Sequence, residues 1–280
     1  MKNVCVITGG GSGMGLAAAE YMPKDKIIVI VGRTVSKLQN AADLLKDEGH
    51  EVYVHACDTS SRESVRELAE FAASLGTVKN VINAAGVSPA MADPESLVRI
   101  NALGTVYMNE EFAKVMDRGS VIVDVSSNSA YAIPSILRSL ARFNTVFEDE
   151  EKFVRNMLRF TKLAGDDYVK KGLAYALSKN FVCWYAEQCA FLLGEKGIRV
   201  VSLSPGLVST GMGNLEKEEG KEMIDRSAEG RMGRPAELGY ALATLADERN
   251  GYLSGVDVLV DGGSTSGKHK PNPIYMAKFA

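Results

Sequence analysis

Tyr175 and Lys179 stand one helical turn apart in Tyr175-Ala176-Leu177-Ser178-Lys179, and together they suit proton transfer at a carbonyl or alcohol oxygen. Reducing a carbonyl by hydride requires a proton donor at its oxygen, and oxidising an alcohol requires a base there. A phenol with its ordinary pKa of about 10 is a poor base at neutral pH, but a neighbouring cation favours the phenolate. The i, i+4 spacing sets both side chains on one face of a helix. A Tyr–Lys pair at that spacing is common by chance, so its weight comes from its company. That company is the pair Ser126-Ser127 at the end of a strand-like run and, upstream, Thr8-Gly9-Gly10-Gly11-Ser12-Gly13-Met14-Gly15.

The glycine stretch follows an apolar run at 4–8 and precedes a helical pattern. A chain turning from strand into helix presents unsatisfied N–H groups and the positive end of the helix dipole, which attract phosphate. Glycines there let the backbone turn tightly, approach a pyrophosphate and pack the helix on the sheet. Its placement, more than its glycine content, reads as a dinucleotide site. The end of the second strand bears on which nicotinamide cofactor is bound. A carboxylate there would bond the ribose 2′-OH and repel a 2′-phosphate; the chain instead reads Val31-Gly32-Arg33-Thr34. Arg33 offers a planar, multidentate donor for phosphate, while Ser12 adds no second cation. NADP(H) is the expected cofactor and NAD(H) the alternative.

These side chains need a scaffold, and the hydrophobic pattern supplies one. Strand-like runs fall at 4–8, 27–31, 52–56, 81–83, 121–125, 199–204 and 256–260, mostly continuous and apolar as in strands covered on both faces. Helical patterns fall between them at 15–22, 35–48, 62–74, 95–116, 175–193 and 235–246. Alternation at this scale implies βαβ units with right-handed crossovers. The expected fold is α/β: a Rossmann-type, doubly wound parallel sheet of about seven strands in one domain spanning 1–264. Residues 132–171 carry no strand signal and read as a helical insertion, with Phe153, Met157 and Phe160 at helical spacing. Residues 211–233 read as a charged helical flap, and 265–280 as a short basic tail.

Composition narrows the function. With 280 residues, 46% hydrophobic, 24% charged and a net charge of −3, the chain is an ordinary globular protein lacking the clustered basic face that nucleic acid requires. No apolar run is long enough for a membrane span, and the start has no signal-peptide pattern, so a cytoplasmic location is expected. Cys5, Cys57, Cys183 and Cys189 form no C-x-x-C pair, and His50, His55 and His269 make no ligand spacing with them; no metal site is expected.

The glycine spacing, T-G-x-x-x-G-x-G, resembles the short-chain dehydrogenase/reductase family, and the resemblance runs to about Ser264. Cys57-Asp58-Thr59 is similar to the family's adenine-contacting Asp block, and Asn83-Ala84-Ala85-Gly86 to its N-A-A-G block. Asn101, Ser127, Tyr175 with Lys179, Pro205-Gly206 and Asp261-Gly262-Gly263 follow in the family's order. The resemblance implies that Tyr175 is the general acid/base. It implies further that Lys179 lowers the pKa of Tyr175 and holds the nicotinamide ribose, that Ser127 binds the substrate oxygen (Ser126 being its competitor), and that Asn101 supports a water-linked relay to Lys179. In Pro205-Gly206-Leu207-Val208-Ser209-Thr210, similar to the family's P-G-x-x-x-T, the Val208 backbone and Thr210 hydroxyl would hold the carboxamide.

Ser127 and Tyr175 lie 48 positions apart, against about a dozen in most of the family. The surplus resembles the subset typified by bacterial 3α-hydroxysteroid dehydrogenase/carbonyl reductase, in which it blocks a helix-bundle dimer contact. A steroid or other apolar ketone or alcohol is therefore the expected substrate, in a homodimer or homotetramer. A smaller carbonyl, such as a 3-oxoacyl thioester or a sugar, is the alternative, with Arg138 and Arg142 available to a thioester. A cofactor-binding sensor without catalysis is the reading from another class.

Overall fold

The computed structural model describes residues 1–133, 140–215 and 220–269. Strands β1 (Asn3–Thr8), β2 (Ile27–Gly32), β3 (Glu51–Ala56), β4 (Thr77–Asn83), β5 (Val121–Val125), β6 (Arg199–Pro205) and β7 (Asp257–Val260) form one seven-stranded sheet. Its order is β3-β2-β1-β4-β5-β6-β7 and every pair is parallel. This is the doubly wound architecture, and the order reverses direction between β1 and β4. Along β1 the side chains alternate between two cores, Val4 and Val6 on one face, Cys5 and Ile7 on the other.

The first core lies under α3 (Arg62–Leu75), α5 (Gly104–Val115) and α8 (Asp167–Gly194), with Leu68, Phe112 and Phe181 among its buried residues. The second lies under α1 (Gly13–Glu20), α2 (Val35–Asp47) and α11 (Pro235–Leu245), through Ala18, Leu38 and Leu242. The helices start on local signals. The Ser61 hydroxyl accepts from Ser64 N–H and caps α3, while Asp93 accepts from the Glu95 and Ser96 amides and caps α4 (Pro94–Val98). Pro235 occupies the first turn of α11, whose N-cap Arg234 N–H donates to Glu237.

Three departures from expectation bear on the site. β4 begins four residues early, because Asn80 is buried in a polar site where Lys26 donates to it at 2.7 Å and it donates to the Ala246 carbonyl at 2.7 Å. The helical pattern at 95–116 is interrupted by a π-helical turn, Arg99–Leu103, between α4 and α5. Finally, α8 starts at Asp167, capped by Asp166, which accepts from Val169 N–H. Residues 167–171, read as the end of an insertion, thus belong to the helix that carries Tyr175.

The rest of the 132–171 segment, where described, is helical: α6 (Leu140–Phe143), 3₁₀ turns at Asn144–Phe147 and Thr161–Leu163, and α7 (Glu150–Leu158). Phe153 is fully buried 4.7 Å from Phe181 of α8, and Phe143 lies 5.3 Å from the same ring. Cations grip the acidic first turn of α7. Arg62 donates to Glu150 at 2.8 Å and to Glu110 at 2.6 Å, and Arg99 makes two 2.8 Å bonds to Glu151. Residues 134–139, Arg138 among them, fall outside the described residues. Arg142 is buried with its guanidinium 4.0 Å from the centre of the Phe160 ring, which removes it from the role considered for it at a site mouth.

The expected flap comprises α9 (Gly211–Leu215) and α10 (Lys221–Arg226); its run 216–219 and tail residues 270–280 lie outside the described residues. Among the described residues, no helix is long and apolar enough to cross a membrane, and no group of three or more His, Cys, Asp or Glu is placed to hold a metal ion.

Candidate active site

At the carboxyl ends of β1 and β4, where strand order reverses, the molecule opens into a cleft of about 410 Å³. Such a crevice is where open α/β sheets bind ligands. One wall is the turn from β1 into α1, contributing Thr8, Gly9, Gly11, Ser12, Gly13, Met14 and Gly15. Gly9 has φ +69°, and a Cβ on it would stand 3.0 Å from the Ala84 carbonyl oxygen; Gly13 has φ +59°, and its Cβ would meet Thr210 Cγ2 at 3.2 Å. Only glycine takes up that backbone without strain and leaves the space free. The Thr8 hydroxyl ties this turn to the end of β4: it accepts from Ala85 N–H at 2.9 Å and donates to Asn83 Oδ1 at 2.9 Å. Asn83 itself is buried behind the cleft, whose opposite wall is Ala84, Ala85 and Gly86.

Arg33, Thr34, Asp58 and Thr59 line the far end of the cleft. The Ser60 hydroxyl, with its amide and nearby Arg33, holds the Asp58 carboxyl below the usual range. Lys37 lines this end too, a cation the sequence reading passed over. It sits in the first turn of α2, where the helix dipole disfavours a cation; that misplacement was its available signal. The glycine turn, the Thr8 tether and the Arg33–Lys37 end together could hold a dinucleotide. At the other end, Met91, Ile100, Met212 and Leu215 give the cleft an apolar border.

Two of the expected catalytic side chains, Asn101 and Lys179, meet beside Gly86. A Cβ there would lie 3.0 Å from Asn101 Oδ1 and 3.4 Å from Lys179 Nζ. Asn101 is held by both ends of its amide: Oδ1 accepts from Val87 N–H, and Nδ2 donates to the Val87 carbonyl, each at 2.9 Å. It lies within the π-helical turn, a distortion found frequently at functional positions. Lys179 is buried, donates to the Val125 carbonyl at 2.9 Å and has its Nζ 5.9 Å from the centre of the Tyr175 ring. Burial pulls its pKa down to about 8.

Ser127 follows β5, its hydroxyl accepting from Ser129 N–H at 3.2 Å. Ser126, its competitor, is committed elsewhere: it donates to the Lys179 carbonyl at 2.7 Å and accepts from the Cys183 thiol. Behind both, Asp124 on β5 is wholly buried, and burial raises its carboxyl to about 7.

The 205–210 segment divides between two cavities. Thr210 lines the main cleft, against Gly13, whereas Gly206 and Val208 line a separate cavity of about 220 Å³ with Met223, Ile224 and Ser264; Pro205 ends β6. The hydrogen bond from Thr210 N–H to the Val208 carbonyl, 2.8 Å, makes the tight turn that separates the two. Asn128 fastens α10 above the second cavity by donating to Met223 Sδ at 3.2 Å and Ser264 Oγ at 3.1 Å.

Comparison with known proteins gives this site a lineage. The model of the family described as short chain dehydrogenase matches residues 3–137, and that described as Enoyl-(Acyl carrier protein) reductase matches 135–265. A short-chain dehydrogenase/reductase of Alternaria brassicicola is 29% identical over 94% of this chain and 96% of its own length. Meso-2,3-butanediol dehydrogenase of Serratia marcescens is 27% identical over 98% of each chain. A short chain dehydrogenase from Burkholderia cenocepacia, solved in complex with NADP, shares the fold with a TM-score of 0.74 at 19% identity, covering 94% of this chain and 97% of that one. Two family models tiling nearly the whole chain, with relatives aligned end to end, establish that it belongs to the short-chain dehydrogenase/reductase family, enzymes that use NAD(P) to interconvert alcohols and carbonyls.

Proposed function

We propose that the protein is an NADP(H)-dependent oxidoreductase that interconverts a secondary alcohol and a ketone, with an apolar ketone of hydroxysteroid type as substrate. The observation that carries the reaction is the meeting of Asn101, Lys179 and Gly86 at the inner end of the cleft, with Tyr175 one helical turn from Lys179. Preference for NADP(H) rests on two cations, Arg33 and Lys37, at an end of the cleft where β2 offers no carboxylate. The NADP complex of the Burkholderia protein is in keeping with it.

The nicotinamide cofactor supplies or accepts hydride when bound. The glycine turn and Thr210 would hold it, Arg33 and Lys37 would offer their cations to a 2′-phosphate, and Asp58 and Thr59 would serve the adenine end. The Ser127 hydroxyl orients the substrate oxygen. Tyr175 gives that oxygen a proton in reduction and removes one in oxidation. Lys179 as ammonium favours the phenolate of Tyr175, and Asn101 keeps Gly86 and Val87 at the distance that leaves Lys179 room. Met91, Ile100, Met212 and Leu215 favour an apolar substrate, with α9 closing over it. Phe143, Phe147 and Phe153 pack on α8, so self-association into a dimer or tetramer would use another surface.

A smaller alcohol such as a vicinal diol is the second reading, favoured by the butanediol dehydrogenase relative. Assaying ketosteroids, small diols, cyclic ketones and acyl thioesters with NADPH and NADH decides between the two. Tyr175→Phe is expected to abolish turnover and keep cofactor binding; unchanged turnover would overturn the role given to Tyr175, and a wild type that binds cofactor without turning over any substrate would point to a sensor.

A further inference from the structure

We propose that Asp124 is a positioning residue that acts through Lys179, serving as the buried counter-charge that keeps the lysine cationic. The inference rests on the cofactor reading above. Asp124 lies on β5 next to Val125, whose carbonyl receives the Lys179 ammonium. Its two carboxyl oxygens each accept one amide N–H, from Asn83 Nδ2 at 3.2 Å and from Asn109 Nδ2 at 2.8 Å.

Both amides are turned donor-first. Asn83 is fixed that way because its Oδ1 receives the Thr8 hydroxyl. Asn109 is turned that way although its own Oδ1 is left buried without a hydrogen-bond partner among the described residues. Orphaning a buried acceptor is costly, and a neutral group at 124 would let the Asn109 amide rotate and satisfy it. Two donors aimed at two oxygens define a pocket for a carboxylate.

The charges around this carboxylate are few. From α8 it faces Lys179, Tyr185 and Cys189; burial raises Tyr185 and holds the Cys189 thiol at about 12, so neither ionises near neutrality. Lys179 faces Asp124, the Cys183 thiol (also pushed by burial to about 12) and the Tyr175 ring. Asp124 and Lys179 are thus the two buried groups here that exchange charge, and each opposes the other's desolvation.

The test is NADPH affinity, read by nucleotide fluorescence, from about pH 6 to about pH 10, the span over which a buried lysine loses its proton. Wild type should bind at the acid end and weaken along an alkaline limb. Asp124→Asn should move that limb down by about one pH unit, the shift expected on losing a close opposite charge, with acid-end affinity unchanged. Asn109→Leu, which removes one donor and disfavours the carboxylate, should move the limb the same way and serves if Asp124→Asn fails to fold. Asp124→Glu, keeping the charge, should leave the limb near the wild-type position. An unmoved limb in the first two variants, or an equal loss of affinity at every pH, overturns the proposal alone. A wild type that binds no NADPH at the acid end overturns the cofactor reading and the proposal with it.

Discussion

Gly86→Ala is a one-carbon probe of the proposed reaction centre. The added methyl would stand 3.0 Å from Asn101 Oδ1 and 3.4 Å from Lys179 Nζ, inside the roughly 3.5–4.0 Å at which non-bonded atoms settle. The tight contact is the one to Asn101 Oδ1, and relieving it stretches one or both of the 2.9 Å bonds between Asn101 and Val87, shifting the Gly86–Val87 backbone that borders Lys179 Nζ. Overpacking of this kind costs about 1–3 kcal/mol, and about 1.4 kcal/mol off transition-state stabilisation is tenfold in rate. With a displacement of several tenths of an ångström, against the roughly hundredfold loss that a misplacement of about 1 Å produces, kcat should fall about ten- to thirtyfold. The assay is steady-state kcat and KM on the best ketone of the panel, beside thermal unfolding. Gly172→Ala is the control: it lies on the same helix as Tyr175, and its Cβ would meet nothing within 4 Å, so it should leave kcat intact and raise stability slightly. Wild-type kcat in Gly86→Ala would refute the close approach of Gly86, Asn101 and Lys179 as a requirement of catalysis.

Two further outcomes are expected. Arg33→Asp should raise KM for NADPH about tenfold or more, as losing a hydrogen bond to a charged group does, and leave KM for NADH level or lower; Lys37→Ala should show the same bias more weakly, and equal effects on both cofactors would refute the assignment. His50 is buried, and burial, with Lys24 nearby, lowers its pKa below the ordinary imidazole value. The unfolded chain therefore takes up that proton first as pH falls, and stability present above about pH 6.5 is lost below it. His50→Leu should flatten the acid limb of a Tm-against-pH curve, and an unchanged slope would show that another group titrates there.

Much of this architecture is written in local patterns. Continuous β-branched runs announce β1, β2 and β5, and the glycine turn announces the cleft because strand and helix flank it at once. What stayed hidden depends on partners distant in the chain. Asn80 makes the first half of β4 look polar until Lys26 and Ala246 are seen to satisfy it. The charged start of α8 reads as the end of a separate helical insertion until Asp166 is seen to cap it. Serine order does not separate Ser126 from Ser127, and it does not report that Ser126 donates to the Lys179 carbonyl. Nor does hydrophobic periodicity report the extra residue of a π turn, since the apolar positions on either side remain helical.

That extra residue sets the phase of everything after it. Each helical residue turns the chain by about 100°, so removing one position from Arg99–Leu103 would swing the whole of α5 by that angle. Glu110 would come to occupy the bearing from which Asn109 now meets Asp124, placing a second carboxylate against the first. Phe112, fully buried, would turn toward the rim. A chimera that joins the first half of this chain to the second half of a relative must therefore place its crossover after Val115 or before Pro94, because a one-residue gap between those points rewires the floor of the site.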